Sequence, residues 1–230
     1  MDGFTRYAVC YTPPPGPLAD FGAAWLGWDS RGRRRRPHPQ MRGLPRPVVA
    51  RLTDMPRRYG FHATLKPPFA LKPGFDISEL HTATGALAAS LSPVAADGLR
   101  LARLGGFLAL MPEGDTTPLA LLAARIVETL DGFRAAPSEA DLARHRKPGL
   151  TSRQEVLLQQ WGYPHVMEEF RFHLTLTGPL PEPEAGQVAA LLRPVLAPLL
   201  PRPFRIREIC LVGEGQDGRF HHLHRYRLSG

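Results

Sequence analysis

Two stretches of the chain alternate apolar and polar side chains with the two-residue period of a β-strand, and both do so with the same residue types. In Tyr59-Gly60-Phe61-His62-Ala63-Thr64-Leu65-Lys66-Pro67-Pro68-Phe69, the residues Phe61, Ala63 and Leu65 share one face. Arg58, His62, Thr64 and Lys66 share the other, because successive side chains of a strand point to opposite sides. In Phe170-Arg171-Phe172-His173-Leu174-Thr175-Leu176-Thr177-Gly178-Pro179-Leu180, an apolar row of Phe170, Phe172, Leu174 and Leu176 lies opposite Arg171, His173, Thr175 and Thr177. Phe, His, Thr, Leu and a Pro recur at identical offsets, 111 residues apart.

The flanking patterns repeat as well. The first segment is followed by a helical period over residues 77–91, with Asp76 or Ser78 placed to cap it;. Strands at 98–104 and 107–111, turned by Gly105-Gly106, come next;. The second segment is followed by a helical period over 184–200, bent or broken by Pro194 and Pro198;. Strands at 204–213 and 219–228 then turn around Asp217-Gly218. Each half reads strand–helix–strand–strand. A strand at 6–12 and a helix at 18–28 precede the first, an amphipathic helix at 118–130 opens the second, and 137–164 reads as an inserted helical excursion. The pattern predicts an α+β fold over residues 1–230. It is one bilobal domain with approximate halves 1–112 and 113–230, related by a pseudo-two-fold, with antiparallel sheets around a central cleft.

Composition narrows the class. At 230 residues and 43% apolar content the chain can bury a sizeable core, and 22% charged residues with 11 Phe argue against disorder;. Two cysteines, Cys10 and Cys210, form neither a disulfide scaffold nor a four-Cys zinc site, and their apolar surroundings predict two reduced buried thiols;. The opening Met1-Asp2-Gly3-Phe4-Thr5-Arg6 lacks the pattern of a secretory leader;. The most apolar run, 189–200, is cut by Arg193, Pro194 and Pro198, so no membrane span is expected;. The expected location is the cytoplasm.

The net charge of +8 is concentrated at one end. Residues 1–72 hold 13 basic and 4 acidic side chains, densest at Arg31-Gly32-Arg33-Arg34-Arg35-Arg36, and the remainder is nearly neutral. The surrounding Pro37, Pro39, Gly43, Pro45 and Pro47 favour a solvated loop over a polyanion-binding arm;. Only 3 of the 29 basic residues are Lys, which reads as compositional bias toward Arg.

A structural strand has no need to place His and Thr at i and i+2 twice. Phosphodiester hydrolysis does need a base for the nucleophile and an acid for the leaving oxygen, on opposite sides of phosphorus. Two imidazoles on pseudo-symmetric strands supply both near neutral pH. The hydroxyls of Thr64 and Thr175 can donate to the non-bridging oxygens, and Arg171, Arg58 or Lys66 can offset the developing charge. Tyr163 is a further substrate-contact candidate, with packing beside Trp161 the plainer alternative. The chemistry requires no metal and no cofactor. The local run His221-His222-Leu223-His224 would put His222 and His224 on one strand face, which a zinc site could use, although a solvated edge strand is the simpler reading;. His38, His81, His145 and His165 stand in unrelated contexts and read as surface residues.

Paired His-x-Thr strands in a duplicated α+β chain resemble the 2H phosphoesterase superfamily of RNA 2′,3′-cyclic phosphodiesterases and LigT-like RNA ligases. The segments Arg6-Tyr7-Ala8-Val9, Phe21-Gly22-Ala23-Ala24-Trp25-Leu26-Gly27, Arg103-Leu104-Gly105-Gly106-Phe107 and Trp161-Gly162-Tyr163-Pro164 are similar to its bacterial phosphonate-operon-associated branch, as are both histidine segments. The resemblance spans nearly the whole chain. It implies His62 and His173 as catalytic residues and Thr64 and Thr175 as phosphate-binding ones. It also implies a small phosphorylated partner, a cyclic nucleotide or a sugar cyclic phosphate, ahead of RNA, and no membrane. Three readings follow: a metal-independent cyclic phosphodiesterase (or an RNA end-processing or ligating relative), a non-catalytic RNA- or nucleotide-binding module using the same cleft, and a metal hydrolase using the C-terminal histidines.

Overall fold

The computed structural model describes residues 3–147 and 149–230. Met1 and Asp2, which open the stretch read above for a leader, lie outside them. In chain order the elements are β1 (Phe4–Tyr11), α1 (Pro17–Leu26), β2 (Trp28–Asp29), β3 (Arg34–Arg35), α2 (Arg46–Leu52), α3 (Asp54–Arg57), β4 (Ala63–Phe69) and α4 (Ile77–Ser90). They continue with β5 (Val94–Ala96), β6 (Gly98–Leu104), β7 (Phe107–Glu113), α5 (Thr117–Thr129), α6 (Glu139–Arg146) and α7 (Ser152–Trp161). The last are β8 (Leu174–Thr175), α8 (Glu182–Leu196), β9 (Phe204–Ile206), β10 (Glu208–Gly215) and β11 (Phe220–Arg227).

Local chemistry sets many of these boundaries. Proline occupies the first turn of α1, α2, α5 and α8, where its missing N–H is no loss;. Asp76 caps α4 through the N–H groups of Ser78 and Glu79, and Glu79 answers to the Asp76 N–H;. Pro194 lies inside α8, which ends two residues later and tightens into a 3₁₀ turn at Ala197–Leu199;.

The antiparallel sheets show how the duplication is assembled. One has the order β11-β10-β1-β4, a second β6-β7-β8, and the short strands β5 and β9 pair with each other. Setting β4-β1-β10 beside β8-β7-β6 matches each strand with its counterpart. Cys10 on β1 faces both Thr64 and Cys210, and Ala109 on β7 faces both Thr175 and Ala102. The repeat therefore begins at β1 and again at β7, with α1 matching α5 and α4 matching α8. Each repeat sends its closing strand into the other repeat's sheet. Strands that read as strand–helix–strand–strand in sequence are thus divided between two sheets, and the halves are interlocked.

Several expectations change in detail. The strand expected over 204–213 breaks at Arg207, because β9 pairs with β5 and β10 with β1. The second histidine segment keeps only Leu174–Thr175 in the ladder, although Phe172, Leu174 and Leu176 are buried as the alternation requires. The arginine block is a small hairpin in which Trp28 pairs with Arg35 and Asp29 with Arg34, its arginines exposed except the partly covered Arg36. The 137–164 excursion holds α6 and α7. A β-bulge between Leu211 and Val212 sets His224 opposite Leu211 and His222 opposite Val212, so the two histidines face opposite sides of β11;. The common face expected for them does not exist. Among the described residues, no three metal-ligating side chains converge.

Candidate active site

The first histidine is set by a turn that needs glycine. After α3 the chain passes Arg58 and Tyr59 to Gly60, whose φ of 72° is left-handed, and a side chain there would press on Ser30;. Phe61 then turns inward against Gly22 of α1, where a methyl group would overlap its ring. That leaves His62 on the opposite side. Its Nδ1–H donates to the Gly60 carbonyl at 3.0 Å, which can only accept, so Nε2 carries the free lone pair and accepts from the Thr64 hydroxyl at 3.1 Å;.

The second histidine repeats this anchor. His173 Nδ1–H donates to the carbonyl of Arg171, again two residues back, at 2.7 Å, leaving Nε2 without a hydrogen bond among the described residues. Its strand is held from the first repeat: Trp25 Nε1–H donates to the Leu176 carbonyl at 2.7 Å, and the Gly178 N–H to the Leu52 carbonyl at 2.8 Å. Both imidazoles thus present the same nitrogen from corresponding strands. Burial lowers the His62 pKa to about 4, and the charge on His173 adds to that lowering;. Burial also lowers His173, with the charge of His165 adding to it.

Beside His62 lies a cationic corner that the sequence pattern did not single out. Tyr59 sits 5.9 Å from the His62 ring and stacks on Phe220 at 5.1 Å. It packs over a floor of Ala8, Cys10, Cys210 and Val212. The buried Glu214 carboxylate holds Arg6 Nε at 2.5 Å and Arg58 Nη2 at 2.9 Å. Arg58 was a candidate, but Arg6 and Glu214 were not, because they meet only when β1 pairs with β10, 208 residues away. Cys10 and Cys210 are free, buried thiols, and burial raises the pKa of both.

Three other candidates have partners of their own. Lys66 is only 2% exposed, and its ammonium reaches the Asp131 carboxylate and the Val127 carbonyl, each at 3.2 Å. Burial pulls its pKa down to about 8 against the opposing pull of Asp131. It braces β4 against α5. Arg171 is exposed and lines a recess of about 210 Å³ with Met111, Thr116, Phe170 and Phe172. Tyr163 meets the rings of His145 at 5.0 Å and His165 at 5.8 Å, and packs in a small cluster with Trp161 and Val166. A larger recess of about 690 Å³ lies between Pro13–Leu18 and Arg205, Arg207 and Arg227. Neither histidine lines either recess.

The duplicated sheets put the two His-x-Thr segments on corresponding strands, β4 and β8. Residues 64–221 match the family described as "Protein of unknown function (DUF1045)", and the chain belongs to that family. It is 40% identical over 188 residues to a ribose 1,5-bisphosphate phosphokinase PhnN of Janthinobacterium sp. (strain Marseille), covering 81% of this chain and 42% of that protein. It is 38% identical over 180 residues to the protein of that name from Laribacter hongkongensis (strain HLHK9), covering 77% and 41% respectively. The chain thus spans less than half the length of these curated relatives. Among solved structures it is similar to TT0787 of Thermus thermophilus, with a TM-score of 0.47 and 15% identity over 98% of each chain. It is also similar to E. coli LigT complexed with 3′-AMP, with a TM-score of 0.45 and 13% identity over 98% of this chain and 99% of that one.

Proposed function

We propose that this chain is a 2H-type cyclic phosphodiesterase that opens the cyclic phosphate of a phosphorylated ribose. The observation that carries the reading is the shared anchor of His62 and His173 through Nδ1, which leaves the proton exchange of each ring to Nε2, on Thr64 in the first and unbonded in the second. His62, the more strongly depressed of the two, is the base. Its Nε2 takes a proton from water as the water oxygen bonds to phosphorus. The opposite P–O bond breaks, and His173 Nε2–H delivers its proton to the departing sugar oxygen. Water is consumed and a phosphomonoester is left. Thr64 and Thr175 donate to the non-bridging oxygens, the Thr64 hydroxyl turning from His62 to the phosphate as substrate binds.

The relatives' name supports the sugar. Opening a 1,2-cyclic phosphate of ribose 5-phosphate at O2 yields ribose 1,5-bisphosphate, the compound in that name. The kinase activity in the name is not carried over. Lys66, Lys72 and Lys147 follow Leu65, Leu71 and Arg146, so the chain has no Gly-Lys pair from which a phosphate-cradling P-loop could be built;.

Phosphorus NMR tests the reading directly. With ribose 5-phosphate 1,2-cyclic phosphate or a 2′,3′-cyclic nucleotide, the cyclic-phosphate signal should give way to a monoester signal at a rate unaffected by chelator. Persistence of the cyclic signal on every such compound, with binding intact, would favour a non-catalytic binding module. Loss of activity with chelator and its return with a divalent ion would favour a metal hydrolase.

A further inference from the structure

We infer that Arg6 and Arg58, held side by side on Glu214, form a second anion site that receives a non-reacting phosphate of the substrate. This inference rests on the proposed cyclic phosphodiesterase reading and says where the rest of the substrate lies.

The argument begins with how arginine donors are used. Arg57, next in sequence to Arg58, gives its guanidinium to the Leu26 and Ala50 carbonyls and the Thr53 hydroxyl, so it is structural. Arg225 likewise spends both terminal nitrogens on Thr12, Pro13 and Glu208. Arg6 and Arg58 differ. Among the described residues each gives a single nitrogen to hydrogen bonding, and both go to the same carboxylate. Their remaining N–H groups are left for a ligand. Two cations on one carboxylate make a net positive corner, and the buried Glu214 fixes both guanidinium planes before anything binds. Such preorganised, charge-assisted forks suit phosphate oxygens better than a mobile lysine would.

The corner is also where a second phosphate would fall. Arg6, Ala8 and Cys10 alternate along the face of β1 that meets Thr64, so the arginine and the His-x-Thr pair share one side of the sheet;. The Tyr59 ring centroid is 5.9 Å from the His62 ring and 4.8 Å from the Arg58 guanidinium carbon. Imidazole and guanidinium are therefore no farther apart than those two steps, a gap suited to a sugar phosphorylated at both ends. Asp141 and His145 are within electrostatic reach of Arg6, and Asp141 is already paired with Arg144 at 2.6 Å. Among the described residues, Arg6 gives only Nε to a protein partner, which leaves its other N–H groups available.

The test measures kcat/KM for ribose 1,2-cyclic phosphate with and without its 5-phosphate, in the native chain, Arg58→Gln and Arg6→Gln. The readout is the ratio of the two values, in which general damage to the fold cancels. The native ratio should favour the 5-phosphate by roughly 10²-fold, and each substitution should reduce it about tenfold, the worth of one charge-assisted contact. A ratio unmoved in both variants overturns the inference. Arg58→Gln guards against misfolding, because Glu214 keeps Arg6 and Arg58 is itself exposed. If no cyclic phosphate is turned over, the phosphodiesterase reading fails on its own. Calorimetric titration with ribose 5-phosphate then decides the site: tenfold weaker binding in Arg58→Gln supports it, and equal binding overturns it.

Discussion

The two His-x-Thr segments are near copies in sequence and in local geometry, yet they are surrounded differently. Each histidine is pinned by a bond from Nδ1 to a carbonyl two residues back. Only the first also has its threonine bound to Nε2, and only its pKa is pushed as low as about 4. Four residues on from each histidine, the copies diverge completely. Lys66 drives its charge into the protein toward Asp131, whereas Thr177 is buried and accepts the Leu108 N–H at 3.0 Å. In the proposed reaction the shared part acts on the substrate, while the divergent part serves packing. Duplication supplied two equivalent bases, and different burial made them unequal.

The largest expected effect tests the shared part. His62→Ala and His173→Ala should each lower kcat by roughly 10²–10⁴, with thermal unfolding still cooperative. Full activity in either would break the equivalence. Next comes the divergent part, read by denaturant unfolding. Asp131→Ala strands the buried Lys66 ammonium and should cost about 3–5 kcal/mol of stability;. Lys66→Met removes the charge as well and should cost far less. A smaller effect separates the threonines. Thr64→Val should reduce kcat about tenfold or more and Thr175→Val by less, because Thr64 alone is seen on Nε2;. Equal losses would mean that the Thr64–His62 bond of the free protein adds nothing to the rate.

The pH dependence sharpens the inequality. His62 must be neutral and His173 protonated, so kcat/KM should fall below about pH 4 and fall again as pH rises through the depressed pKa of His173, beneath the usual 6.5;. Stability follows a related rule. Between pH 6.5 and about 4 the unfolded chain binds more protons at His62 than the folded one, so stability should drop as pH falls across that window;. His62→Gln should flatten the drop in a melting series. The smallest effect lies outside both copies: replacing Arg33–Arg36 by Ser should change kcat/KM on a mononucleotide-sized substrate less than about threefold.

What could be read from the sequence was whatever depended on near neighbours. The strand alternation put Phe61, Leu65, Phe172 and Leu176 in the core and His62 and His173 away from it, as found. The Asp76 cap and the β6–β7 turn followed from short-range chemistry in the same way. Lys66 shows the limit. Alternation alone puts it with His62 and Thr64, but a register shift sets Thr64 opposite Cys10 and Lys66 opposite Val9, so Lys66 faces the interior, where Asp131, 65 residues away, receives it;. Arg6 and Glu214 show the same limit from the other side, since nothing local marks either residue until β1 and β10 pair. The His222 and His224 faces were misjudged because one bulge reverses the alternation, and a period-two pattern has no sign of it;.

The exchange of closing strands has a consequence for how the chain could be divided. A cut at Gly105-Gly106, in the turn between β6 and β7, would give two fragments that each carry one His-x-Thr segment. The first would own β1 and β4 but lack β10, and the second would own β7 and β8 but lack β6. Each would expose a strand edge shaped for the other, so the fragments should be poorly folded apart and reassemble when mixed. The same interlock makes each sheet depend on both halves of the chain, so neither His-x-Thr segment keeps its full sheet without the other.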